Sequence, residues 1–141
     1  MFVFYLFSRL TNVRAALAGS AIFFAYAHGV NPGVNYIWML RLVAAGLLLG
    51  YSVVRTASLS WAIGYHAGWN WGSAPLFGAA GSGYLNEGHI FTYSYKGSDL
   101  ITGGSVGPEG SLFAFFAVLI AAVILVGTFR VPHPPRMSKV C

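Results

Sequence analysis

SLFAFFAVLIAAVILVGT, residues 111–128, contains no charged side chain and ends just before Arg130. A helix crossing the hydrocarbon core of a bilayer needs about 20 mostly apolar residues, with a range of roughly 17–25. This stretch therefore reads as a transmembrane helix. Working outward, IWMLRLVAAGLLLGYSVV at 37–54 has the same character, between the turn-forming NPG before it and Arg55 after it. AALAGSAIFFAYAHGV at 15–30 runs up to that NPG, and the polar-flecked ASLSWAIGYHAGWNW covers 57–71. Residues 2–10 read as the stub of one more helix. The expected fold is all-α: a polytopic membrane helix bundle with about four apolar helical segments plus the N-terminal stub, its Ala, Gly and Ser residues permitting close helix packing.

Composition agrees. The chain is 57% hydrophobic and 8% charged, with a mean hydropathy of +0.67. Soluble domains carry about 25% charged residues, so this chain could not cover a water-facing surface. Its length allows one small domain, read as a single membrane domain over 1–141 with a short basic, Pro-containing tail at 129–141. A net charge of +5 could signal nucleic acid, but the basic residues are scattered and mostly flank apolar runs. That pattern suits membrane orientation and excludes a nucleic-acid partner. The single cysteine, Cys141, excludes a disulfide framework and a cysteine-rich metal site. MFVFYLFSRL lacks a basic region ahead of its apolar stretch and makes a poor signal peptide. It reads instead as the interior of a helix whose beginning lies elsewhere.

Residues 72–110 are glycine-rich and hold all three acids, Glu87, Asp99 and Glu109. Their aromatic and aliphatic content predicts a packed or re-entrant loop rather than a linker. Alternating the spans puts Arg9, Arg14, Arg55, Arg130, Arg136 and Lys139 on one side and the long loop on the other, as the positive-inside rule requires.

Polar groups in hydrocarbon cost several kcal/mol unless satisfied, so those within the spans carry the functional question. Under this topology His28 and His66 lie toward the same, loop-facing end of their helices and can approach each other. Phe24 shares a helix face with His28, and Asn70 with His66, each pair at i, i+4. For either histidine alone, an interfacial residue bonded to backbone or headgroup is the plainer reading. Arg41 is expected to snorkel to the interface. Trp38, Trp61, Trp69 and Trp71 read as an aromatic belt first and a substrate wall second. Glu109 reads as a complement to the dipole of the last helix, and His89 and His133 receive no role. Two chemistries suit the pair of histidines. One is zinc on three ligands with an open position. The other is water activation by histidine and glutamate, with a His–Asn pair donating to a developing oxyanion. Both need a glutamate that no helix of this chain supplies. Haem ligation by His28 and His66 is a third, weaker class.

FFAYAH contains Phe24-x-x-x-His28 and YHAGWN contains His66-x-x-x-Asn70; LITGGSVGPEGSLFAFFAVLIAAVIL follows. In this order the motifs resemble the CPBP family of intramembrane proteases, over about residues 1–128. That family includes the CAAX prenyl endopeptidases and bacterial abortive-infection and bacteriocin-immunity proteins. The resemblance implies an intramembrane endopeptidase of a bacterial cytoplasmic membrane, embedded in the lipid bilayer. Its substrates would be membrane-associated or prenylated peptides or proteins, cleaved by glutamate- and histidine-activated water. It implies His28, His66 and Asn70 as catalytic residues, Phe24 as part of the substrate pocket, and zinc on His28 and His66 if the site uses a metal. The family's Glu-Glu-x-x-x-Arg motif does not occur in this sequence. The chain is accordingly expected to be an N-terminally truncated member without meaningful peptidase activity of its own. A non-catalytic immunity or scaffold protein is the alternative.

Overall fold

A computed structural model describes residues 2–85 and 87–130. Within them the architecture is helical, without strands: α1 (Phe2–Leu10), α2 (Val13–Tyr26), α3 (Tyr36–Thr56), α4 (Ser60–Trp71), the single-turn α5 (Asp99–Thr102) and α6 (Leu112–Thr128). Asparagine starts two of these helices. The Asn12 side chain accepts from the Ala15 amide at 3.0 Å, and Asn35 accepts from the Trp38 amide at 2.9 Å. A short side-chain oxygen placed there satisfies one of the amides that a helix start leaves unpaired.

The expected segments correspond to α2, α3, α4 and α6, and the stub to α1, with shifted ends. α2 stops at Tyr26, so His28 sits in the turn beyond it rather than inside the helix. α3, with 21 residues and a mean hydropathy of 1.8, is the one described helix long and apolar enough to cross a membrane. At 1.5 Å per residue it is about 32 Å long, close to the hydrocarbon thickness of roughly 30 Å. α2 and α6 are apolar but shorter, at 14 and 17 residues. His133, Arg136, Lys139 and Cys141 lie outside the described residues, as does nearly all of the proposed tail.

Small residues let α2 and α3 meet. Ala16, Ala21 and Ala25 are buried on α2, and a Cβ added at Gly46 would stand 2.8 Å from the Ala21 Cα. No larger residue fits there without moving a helix. α3 packs on α6 through Ala45, Leu48, Val118, Ala121 and Leu125. At one end Arg55 donates from Nε to the Phe129 carbonyl at 2.6 Å and from a terminal nitrogen to the Val126 carbonyl at 2.8 Å. It thereby satisfies carbonyls that the end of α6 leaves open. Away from α3, α6 exposes Phe113, Phe116, Leu119, Ile120, Val123 and Ile124, a face suited to lipid.

The 72–110 segment folds back onto the helix ends. It opens with a π-helical turn at Gly72–Leu76, against which the Ile90 and Phe91 amides return to the Pro75 and Leu76 carbonyls. Ala79, Ala80 and Val106 of this segment are buried. The segment ends in two 3₁₀ turns, Gly104–Val106 and Pro108–Gly110, leading into α6. Gly103 between α5 and these turns has φ +85°, and a Cβ on it would collide with the Gly107 carbonyl. Only glycine lets the chain double back there.

Candidate active site

Two motif-bearing elements converge near the loop-facing ends of the helices. The α2 motif ends in a turn that directs the His28 ring back over its own helix. The His28 Nδ1 lies 2.7 Å from the Phe24 carbonyl. A carbonyl only accepts, so this bond requires the proton on Nδ1 and leaves Nε2 as the acceptor of the neutral imidazole. On α4, Asn70 Nδ2 lies 3.4 Å from His66 Nε2, a long, weak contact in which the amide donates. The Phe24 ring joins the two motifs: its centroid is 4.7 Å from that of His28 and 5.8 Å from that of His66, the latter edge-on. His66 and Phe24 also line an open cavity of about 310 Å³, walled further by Phe4, Phe23, Leu49 and Ile63. The cavity is apolar, with an imidazole at its wall.

A second group of residues corrects three sequence expectations. Glu109 is 2% exposed, and its carboxylate binds side chains rather than serving the N-terminus of α6. Its Oε1 accepts from Trp69 Nε1 at 2.7 Å. Its Oε2 accepts from Trp38 Nε1 at 3.2 Å and from Ser82 Oγ at 3.3 Å. Trp38 and Trp69 therefore hold a carboxylate, and Trp38 is fully buried, which removes both from an interfacial belt. Arg41 does not snorkel. It is 4% exposed, with a terminal nitrogen 4.0 Å from Glu109 Oε2 and its guanidinium 4.5 Å above the Trp69 ring centre. Inside an apolar helix, a buried acid and an aromatic face offer the guanidinium more than a stretched path to water. The signal available in the sequence was the charge itself: an arginine within a span calls for a partner, and this chain has only three acids to choose from.

These two groups touch. The His28 and Trp38 rings meet edge-on at 6.2 Å, and Trp69 is the residue before Asn70. Trp61 stacks on Tyr65 within α4, and Trp71 is exposed.

The sequence pattern defining the type II CAAX prenyl endopeptidase Rce1-like family matches residues 1–72, a span that includes Phe24, His28, His66 and Asn70. The chain belongs to the Rce1-like family. No curated protein and no solved structure matches the chain significantly. Membership in the Rce1-like family places the chain among membrane-embedded proteins of the CAAX-protease type, in keeping with the apolar α3.

Zinc is the cofactor such a histidine pair could imply. Catalytic zinc takes three protein ligands plus water. Among the described residues no group of three or more His, Cys, Asp or Glu side chains gathers, and both Glu109 oxygens are already bound by indoles and a hydroxyl. The donor set stops at two imidazoles and does not fit a three-ligand centre.

Proposed function

We propose that this chain is an intramembrane endopeptidase domain of the CAAX-protease type, acting on peptide bonds of membrane-associated, prenylated substrates in a bacterial cytoplasmic membrane. The observation that carries this reading is the Phe24 ring, which packs against His28, in the turn after α2, and against His66 on α4, beside an apolar cavity. In this reading α2, α3, α4 and α6 all span. The basic residues Arg9, Arg14, Arg55 and Arg130 then face the cytoplasm, and the 72–110 loop covers the opposite ends.

The chemistry follows from the hydrogen bonds. With its proton fixed on Nδ1 by the Phe24 carbonyl, His28 presents Nε2 to accept a proton from water attacking the scissile carbonyl. In this reading His66, through Nδ1–H because its Nε2 accepts from Asn70, and the Asn70 amide donate to the oxygen as it gains charge. Phe24 and the apolar wall take the lipid-like part of the substrate. Among the described residues no carboxylate is hydrogen-bonded to His28. Glu109 is committed to its indoles, and Glu87 and Asp99 are exposed in the loop. General acid–base groups contribute about 10²–10⁴ in rate, so the expected turnover of these 141 residues lies that far below a member carrying the acidic pair.

The test is cleavage of a prenylated CAAX reporter peptide in proteoliposomes. Slow hydrolysis that disappears in His28→Ala supports the reading. The commitment of both Glu109 oxygens to indoles and a hydroxyl, away from His28, favours a second reading, a non-catalytic membrane scaffold or immunity protein. No cleavage, or cleavage indifferent to His28→Ala, decides for it.

A further inference from the structure

Glu109 is buried, charged and bound by three donors, yet the hydrolysis proposed above makes no use of it. Resting on the reading of His28, His66 and Asn70 as the site, we infer that Glu109 is a positioning residue that orients both motifs through two tryptophan rings. Each carboxylate oxygen controls one arm. Oε2 fixes the Trp38 N–H at 3.2 Å, and that indole stands nearly perpendicular to the His28 ring, at 87° with the centroids 6.2 Å apart. A hydrogen bond at the N–H restrains rotation of the buried indole about its side-chain bonds and so holds the ring in one orientation against the imidazole. Oε1 fixes the Trp69 N–H at 2.7 Å. Trp69 lies on α4 between His66 and Asn70, so holding its ring sets how α4 is rotated about its axis and where Asn70 points.

α4 needs such an anchor. Its start has no side-chain cap and Ala62 is its one buried residue. Gly64 and Gly68 face open space. Arg41 lies over one face of the Trp69 ring while the carboxylate holds its N–H edge, so the indole is restrained in two directions. Ser82 secures the carboxylate from the loop. Its hydroxyl donates to Oε2, and its carbonyl accepts from Asn31 Nδ2 at 3.0 Å in the α2–α3 connection. The path therefore closes on itself, from His28 through Trp38, Glu109 and Trp69 to α4 and His66, and back to His28 across the Phe24 ring. Glu109 does not serve as the missing base: its oxygens are taken, and the buried Trp38 ring contacts both it and His28.

The experiment is NMR on the full chain in lipid nanodiscs, labelled with ¹⁵N at histidine rings, indoles and asparagine amides. Trp38→Phe keeps an aromatic ring and removes the N–H; it should shift the His28 ring signals and leave those of His66 and Asn70 in place. Trp69→Phe should do the reverse. Glu109→Gln should move both sets, and in the peptidase assay lower kcat by up to about 10²-fold with KM within about twofold. The inference is overturned if Glu109→Gln leaves both histidines unmoved, or if either Phe variant shifts all signals alike, the mark of general loosening. A chain with no turnover whose ring signals still follow this pattern refutes the hydrolysis reading and supports the positioning one.

Discussion

Replacing Glu109 by alanine should be among the most damaging single substitutions in the chain. The change leaves the Arg41 guanidinium, 4% exposed, without its acidic partner, and orphans the buried Trp38 N–H. Two unit charges 4.0 Å apart attract by about 4 kcal/mol at an effective dielectric near 20. Breaking a buried pair from one side costs about 3–5 kcal/mol by mutational precedent. The orphaned indole adds roughly 1–3 kcal/mol, although effects at touching groups do not simply add. The expected loss is therefore about 4–6 kcal/mol, a factor of 10³ or more in the folding equilibrium. Arg41→Met should cost less, about 1–3 kcal/mol, because Glu109 keeps three donors. Combining the two should cost at least about 1 kcal/mol less than the sum of the singles, since no unpaired guanidinium remains. The assay is unfolding in mixed micelles titrated with SDS, followed by far-UV circular dichroism. A Glu109→Ala chain within about 1 kcal/mol of wild type, or strict additivity with Arg41→Met, would refute the reasoning.

Other expectations follow from the same geometry. Gly46→Val should destabilise by about 1–3 kcal/mol or more, because its side chain has nowhere to go but into Ala21; the same titration reads it. Gly64→Ala serves as the contrast. Nothing stands within 4 Å of its added Cβ, and alanine in a helix interior gains about 0.5–1 kcal/mol over glycine. Arg55→Ala should release the end of α6, and faster hydrogen exchange confined to residues 126–130 would report it. Asn70 is exposed, so Asn70→Ala should leave stability within about 0.5 kcal/mol while lowering any reporter cleavage by about 10²-fold or more.

The helices were legible because hydropathy and turn chemistry are local. Residues 37–54 announce α3 by composition alone and NPG marks the break before it, whereas the cap at Asn35 emerges only in the structure. α2 ended earlier than its apolar run because Ala27 to Gly33 form turns, which a hydropathy pattern does not register. Phe24, His28, His66 and Asn70 were visible as i, i+4 pairs, each motif being contained in five residues. Glu109 was not. Its partners Trp38 and Trp69 lie 71 and 40 residues away, and nothing in GPEGS says that the chain will fold back to deliver a carboxylate to two indoles. Arg41 was misread for the same reason. Snorkelling is what an arginine does when no acid is near, and nearness was settled only by the path of the 72–110 segment.

The central claim is that the apolar cavity beside His66 and Phe24 receives the substrate. Photo-crosslinking tests this without requiring turnover, using a CAAX peptide with a diazirine on its prenyl chain and the protein in proteoliposomes. The account predicts labelling of Phe23, Phe24, Ile63 or His66, competed by unlabelled prenylated peptide and not by the same peptide without its prenyl group. Labelling spread along the lipid-facing side of α6, unaffected by competitor, would contradict it.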